Sequence, residues 1–188
     1  MKINTFNIAD FESLPEGLKD SDYVDLLLFL INQKPGVRLG KSSLELQNQM
    51  KNWAKKRNFG FIVNYDNYVY LGKTKLIARM IQLIDDSYFS HEFLLGRFLG
   101  YPTCCCKKVK FIGEKNIDLW ENELCNTSIF KGKFRLINPS GYTQGKSLIS
   151  HIPCSCNCEK SLTIAKKALS IIIQNKENEK FSRWKEWF

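Results

Sequence analysis

Between residues 23 and 31 the chain reads Tyr-Val-Asp-Leu-Leu-Leu-Phe-Leu-Ile, apolar on most faces of a helix. This predicts a buried helix, capped at Ser21-Asp22 and ended by turn chemistry at Gln33-Lys34-Pro35-Gly36. From 42 to 57, Leu44, Leu46, Met50, Trp53 and Ala54 recur at roughly helical spacing. Residues 59–72 change character. Aromatic and β-branched side chains flank Asp66-Asn67, the pattern of a β-hairpin. Helices follow at 76–85 and 90–99, the second capped by Ser90; Gly100 stops it, Pro102 forbids continuation, and Thr103 is placed to cap a helix starting at Cys104.

Further on, 117–124 reads as a helix, 130–137 as a strand, Asn138-Pro139-Ser140-Gly141 as a turn and 159–174 as a long helix. Residues 1–20 suggest a short strand or arm ending in a turn at Pro15-Glu16-Gly17. Residues 176–188, charged with two tryptophans, are read as a docking helix or a flexible tail. No repeat and no linker interrupts this order. The expected fold is therefore α+β: a single, mostly helical domain over residues 1–188 with a small β-hairpin or antiparallel sheet.

Composition supports that class. With 188 residues, 44% hydrophobic and 25% charged, the chain is long enough to bury one substantial core. Its start lacks the basic, apolar and small-residue sequence of a secretory signal, and its longest apolar runs are too short to cross a bilayer. The expectation is a soluble, cytoplasmic protein with no membrane partner. The excess of 28 Lys and Arg over 19 Asp and Glu gives a net charge of +9, which can attract nucleic acid. The lysines are spread along the chain, however. The cluster Lys51, Lys55, Lys56 and Arg57 suits an ordinary solvated helix end better than a phosphate-contacting patch.

The cysteines change the picture most. Six of the seven fall in two short stretches: Cys104, Cys105 and Cys106 side by side, then Cys154, Cys156 and Cys158 just after His151. In a reducing compartment such thiols bind metal or do chemistry rather than form a disulfide framework, and seven cannot all pair within one chain. Both stretches lead into predicted helix N-termini, where free N–H groups favour thiolate. Ser155 and Ser161 are placed to donate hydrogen bonds to the sulfurs. Adjacent cysteines are awkward for a mononuclear zinc site, which commonly uses a two-residue spacer. An iron–sulfur cluster, with several metal corners, constrains contiguous ligands less. The solitary Cys125 reads as packing, and His91 as a surface or satisfied histidine.

Gly100-Tyr101-Pro102-Thr103-Cys104-Cys105 and His151-Ile152-Pro153-Cys154-Ser155-Cys156-Asn157-Cys158-Glu159-Lys160-Ser161 resemble the two motifs of a prokaryotic family of unknown function, domain of unknown function 483. The family's pattern is Gly-Tyr-Pro-x-Cys-Cys, then His-x-Pro-Cys-Ser-x-x-Cys-x-x-Ser. The resemblance implies Cys104, Cys105, His151, Cys154, Cys158 and Ser161 as the positions that matter, with Cys106 and Cys156 as extras and Val109 where an aromatic is expected. It implies no activity.

The first expectation is thus a metalloprotein in which Cys104, Cys105, Cys154 and Cys158 hold one centre, an iron–sulfur cluster slightly ahead of zinc. His151 would serve as a hydrogen-bond donor behind the ligands, an alternative ligand or a catalytic proton carrier. Arg97 and the hairpin tyrosines would contact a small-molecule or protein substrate in a redox or sulfur-chemistry reaction. A metal-free thiol enzyme is the alternative, with Cys154 or Cys105 as nucleophile and His151 as base. A structural zinc module binding nucleic acid through a basic surface ranks last.

Overall fold

The computed structural model describes residues 6–87, 91–126 and 133–187. The predicted buried helix is α2, Asp20–Leu30, preceded by a short helix α1, Ile8–Glu12. Every residue of α2 from Asp22 to Leu30 is buried, and the helix packs against neighbours that include α1, the first strand and the long helix near the C-terminus. Its start differs from the expected cap. Lys19 takes the cap position, and the Asp22 carboxylate reaches back from the first turn to accept the Lys19 N–H at 3.1 Å. The short strand or arm expected before the turn at 15–17 is not formed where the structure describes it: residues 1–5 lie outside the described region, Ile8–Glu12 is helix α1, capped by the Asn7 side chain, and the turn itself is present.

After the turn at residues 33–35 the chain forms a strand that the sequence pattern did not announce, β1, Gly36–Lys41. Two glycines and two basic residues in six dilute its alternation, so its pairing partner, not its local propensity, makes it a strand. The predicted hairpin is β2, Gly60–Val63, and β3, Tyr68–Gly72. The three strands form an antiparallel sheet in the order β1-β3-β2, with a register shift between Leu39 and Lys41. Helix α3, Leu44–Lys55, is capped by Ser43, whose hydroxyl accepts the Leu46 N–H. Helix α4, Lys75–Asp85, lies across the sheet at its glycine end. A Cβ on Gly72 would stand 2.5 Å from the Ala78 nitrogen, so only glycine lets helix and strand approach this closely.

Helix α5, Glu92–Phe98, and helix α6, Thr103–Ile112, pack on each other around the turn at Gly100. Gly100 has φ +79°, and a Cβ there would meet the Gln33 carbonyl oxygen and Pro35 Cδ at 2.8 Å each. This glycine seats the α5–α6 corner on the turn that follows α2. Ser90, the expected cap of α5, lies outside the described residues. Thr103 is the first residue of α6 instead of its cap, and Pro102 takes the cap position.

Helix α7, Ile117–Asn126, follows as predicted. The strand expected over 130–137 is not formed where the structure describes it: Lys133–Ile137 is a 3₁₀ turn. A strand needs a partner ladder, whereas this segment lies against the C-terminal long helix, with Ile137 in the core and the Leu136 carbonyl accepting from Leu148 N–H at 2.8 Å. That helix, α8, runs Glu159–Gln174 and buries Leu162, Ala165, Ala168 and Ile172 at three- and four-residue spacing. The segment Glu179–Trp187 is 3₁₀-helical and docks: Phe181 and Trp184 are buried, Phe181 lies 4.7 Å from the Phe11 ring, and Trp184 Nε1 donates to the Gly145 carbonyl at 2.9 Å. The architecture is an α+β domain, mostly helical, with a small antiparallel sheet on one side. Among the described residues no helix is long and apolar enough to cross a membrane.

Candidate metal centre

The two cysteine stretches, more than forty residues apart in sequence, meet where α6 and α8 begin. Cys104 and Cys105 occupy the first turn of α6, Cys158 is the cap residue of α8, and Cys154 sits in the loop before it. The Cys104 and Cys105 sulfurs are 3.9 Å apart, Cys104 and Cys158 3.8 Å, and Cys105 and Cys158 3.7 Å. All four sulfur atoms lie within 4.8 Å of one another, close enough that the cluster could hold a metal ion. Cys105 and Cys158 are buried, while Cys104 and Cys154 are partly exposed.

The other cysteines stand apart from this cluster. Cys106 turns away towards the Tyr101 carbonyl at 3.7 Å, and Cys125 approaches Asn138 Oδ1 at 3.3 Å. Cys156 packs against the main core.

The remaining motif positions complete the surroundings. Ser161, fully buried on the first turn of α8, donates its hydroxyl to Cys158 Sγ at 3.2 Å and lies 3.5 Å from Cys105 Sγ. His151 Nε2 is 2.8 Å from the same hydroxyl oxygen. Ser155 contributes in a different way from that expected: its carbonyl accepts the Cys158 N–H at 3.1 Å, whereas the hydroxyl that donates to a sulfur is that of Ser161. The six positions implied by the motif resemblance thus come together in one place.

The charge state of the metal-free site is set by these contacts. Burial opposes ionisation of Cys158, but the Ser161 hydroxyl and backbone N–H outweigh it, helped by the Cys154 and Cys105 thiols, and the group falls to about 7. Burial and then the charge and hydrogen bonding of Cys158 push Cys154 up to about 12. Cys105 is also raised, by burial first and by the charge on Cys158, although Ser161 opposes the rise. The helix N-terminus does not make Cys105 an easily ionised thiol. Cys158 is thus more readily ionised than Cys105 or Cys154, and a cation binding to the cluster would expel the protons these two hold.

A second set of buried polar groups lies beside the first, and none of it was singled out in the sequence. Asp25 on α2 accepts hydrogen bonds from Lys34 Nζ and from the Tyr142 hydroxyl, and Lys34 also donates to Ser150 Oγ at 2.7 Å. Asp25 and Lys34 are each 4% exposed in their side chains, so this is a buried ion pair. Tyr101 joins the two sets: its ring lies 5.1 Å from the His151 ring, with Lys34 Nζ 5.2 Å from its centroid. Burial, and then the Lys34 charge, push His151 down to about 3, which keeps the ring neutral.

A half-open cavity of about 360 Å³ is lined by residues of both sets, Cys105 and His151 from the first and Asp25 and Tyr142 from the second. The expected substrate contacts are elsewhere. Arg97 is exposed and donates to the Tyr101 carbonyl, Tyr65 is 83% exposed at the hairpin turn, Tyr68 stacks under Arg38, and Tyr70 bonds Asp85. His91 is exposed at the start of α5, as expected of a surface histidine. Trp120 was missed: its indole N–H donates to the Pro153 carbonyl at 3.2 Å and ties α7 to the second cysteine loop. Of the basic end of α3, Arg57 is engaged by Asp10 at 2.8 Å.

No family model matches the chain. Neither the curated proteins nor the solved structures include a match.

Proposed function

We propose that the protein is a zinc metalloprotein in which Cys104, Cys105, Cys154 and Cys158 hold one tetrahedral ion that fastens α6 to α8. The observation that carries this is the sulfur spacing of 3.7 to 3.9 Å among Cys104, Cys105 and Cys158. A tetrahedron with Zn–S bonds of about 2.3 Å has edges of roughly 3.8 Å. An iron–sulfur cluster distributes its thiolates over irons bridged by sulfide and holds them further apart, which reverses the slight preference for a cluster drawn from the cysteine spacing alone. Contiguity of Cys104 and Cys105 does not oppose a single ion, because the first turn of α6 brings both sulfurs to one point. Four protein ligands leave no open coordination position, the arrangement of a structural site. Membership of the family whose motifs the chain resembles belongs to the same proposal.

The metal-free thiol enzyme is supported less well. Its proposed nucleophiles, Cys105 and Cys154, are both raised, and His151 is bonded to Ser161. Metal analysis of anaerobically purified protein tests the proposal. Stoichiometric zinc, replaceable by Co(II) with the visible bands of tetrahedral thiolate ligation, is the expected result. Stoichiometric iron with acid-labile sulfide would replace zinc by a cluster, and no bound metal would overturn both.

A further inference from the structure

The cavity lined by both the sulfur cluster and the Asp25 group has the size and lining of a small-molecule site. At about 360 Å³ it falls within the range of roughly 300–1,000 Å³ usual for ligand pockets. Most of its wall is apolar, contributed by Leu95, Leu99, Val109, Ile117 and Ile152. Its polar lining includes Asp25, Tyr142, Ser150 and His151.

The hydrogen bonds already made determine what these groups have left to offer. Tyr142 gives its one proton to Asp25 and keeps its oxygen lone pairs, and Asp25 is an acceptor throughout. Ser161 gives its proton to Cys158, so the bond between Ser161 and His151 must be donated by Nε2–H. The neutral ring then carries its lone pair on Nδ1. Asp25, Tyr142 and His151 therefore offer acceptors to the pocket, while Tyr101 and Ser150 line it with hydroxyls that keep a proton.

Charge narrows the choice further. Lys34 is held by Asp25, and Arg38, which lines the cavity, is held by Asp85 at 2.6 Å. Glu92 lines the cavity too and has no ion pair among the described residues. A carboxylate or phosphate ligand would face two carboxylates, Asp25 and Glu92, with both nearby cations already committed.

We infer that this cavity binds a small molecule with an apolar body and a hydrogen-bond-donor head, a hydroxyl or an amine, which Asp25, Tyr142 and His151 receive. The inference does not require that the cysteines hold zinc. It assigns the cavity a ligand class, and its test reads occupancy of the cavity and not metal content.

Three probes of equal chain length serve as ligands: 1-hexanol, hexylamine and hexanoate. Each is titrated into ¹³C-methyl-labelled full-length protein, following the methyl signals of Leu95, Val109 and Ile152 by NMR. At least one donor-headed probe should shift these signals saturably, with hexanoate at least about tenfold weaker. Binding by hexylamine alone identifies Glu92 and Asp25 as dominating the field, and binding by 1-hexanol alone identifies Lys34; either outcome supports the donor-headed class. Val109→Trp on α6 and Leu95→Trp on α5 fill the cavity from different helices, and whichever retains the wild-type circular dichroism should lose the binding by about tenfold or more. Hexanoate binding as tightly as the donors, no saturable shift with any probe, or undiminished binding in a folded tryptophan variant would overturn the inference. Metal content measured on the same samples reports separately on the zinc reading.

Discussion

The sulfur cluster and the Asp25–Lys34–Tyr142 group are both buried sets of reactive side chains facing one cavity, yet they are held together by opposite means. The cysteines come from two helix starts, and their sulfurs are brought almost into contact, where protons or a metal ion must offset the charge of neighbouring thiolates. The Asp25 group comes from α2, the turn after it and the loop before α8, and its charges already cancel within the protein. On the proposed reading, one cluster is complete only with a metal ion added; the other is complete as it stands. A buried pair of this second kind seldom adds much net stability, but removing one partner is costly because the other charge is left without compensation.

The largest test of that contrast is Cys158→Ser. Cys158 is the sulfur closest to two of the other three and the one that Ser161 supports, so the variant should lose nearly all bound metal and show the largest fall in melting temperature. Metal analysis and thermal melts check it. Retention of full metal would remove Cys158 from the ligand set.

Asp25→Asn comes next. It strands the Lys34 ammonium, already disfavoured by burial, and should cost about 3–5 kcal/mol in urea unfolding while leaving metal content unchanged. The double variant Asp25→Asn with Lys34→Met should recover most of that loss. If the metal content fell together with stability in the single variant, the two clusters would be one cooperative unit.

The third prediction sits on the boundary between the clusters. His151 is held down to about 3 in the fold, against about 6.5 in an unfolded chain. Between these values the unfolded state binds the extra proton, so stability falls as pH drops from about 6.5 towards 3. His151→Gln removes this contribution. The stability difference between wild type and variant should be constant above pH 7 and shift against wild type below it, as read from denaturant midpoints at a series of pH values. A difference that stays flat from pH 7 to 4 would contradict the buried neutral ring.

The smallest effect is expected at Cys156. It packs at the edge of the core and lies outside the four-sulfur group, so Cys156→Ser should keep the metal stoichiometry and cost no more than about 1 kcal/mol. The contrast with Cys158→Ser, two residues away, separates a ligand from a neighbour in the same loop.

The site was partly legible in the chain. Four thiols in two short motifs, each before a helix start, are close enough in sequence for local geometry to orient them, and Cys104, Cys105, Cys154 and Cys158 are the set that converges. Ser161 was visible for the same reason, one turn from Cys158 on α8. The extra cysteines could be set aside only through the resemblance to a family motif, because composition treats Cys106 and Cys105 alike. On α6 they point to different neighbours, one to the Tyr101 carbonyl and one to the sulfurs.

What the chain determined by itself was therefore local. The helical repeats of α3 and α8, the hairpin at Asp66-Asn67, the stop at Gly100 and the pairing of thiols with helix starts all depend on residues a few positions apart. Only the tertiary structure decided the rest. Strand β1 exists because β3 lies beside it, and residues 133–137 form a 3₁₀ turn packed against α8. Asp25, Lys34, Tyr142 and Ser150 carry no pattern, since each lies in a different local context and over a hundred residues separate the first from the last. They become a cluster only when α2 is buried and a charge taken out of water must find its partner wherever the fold brings one within reach.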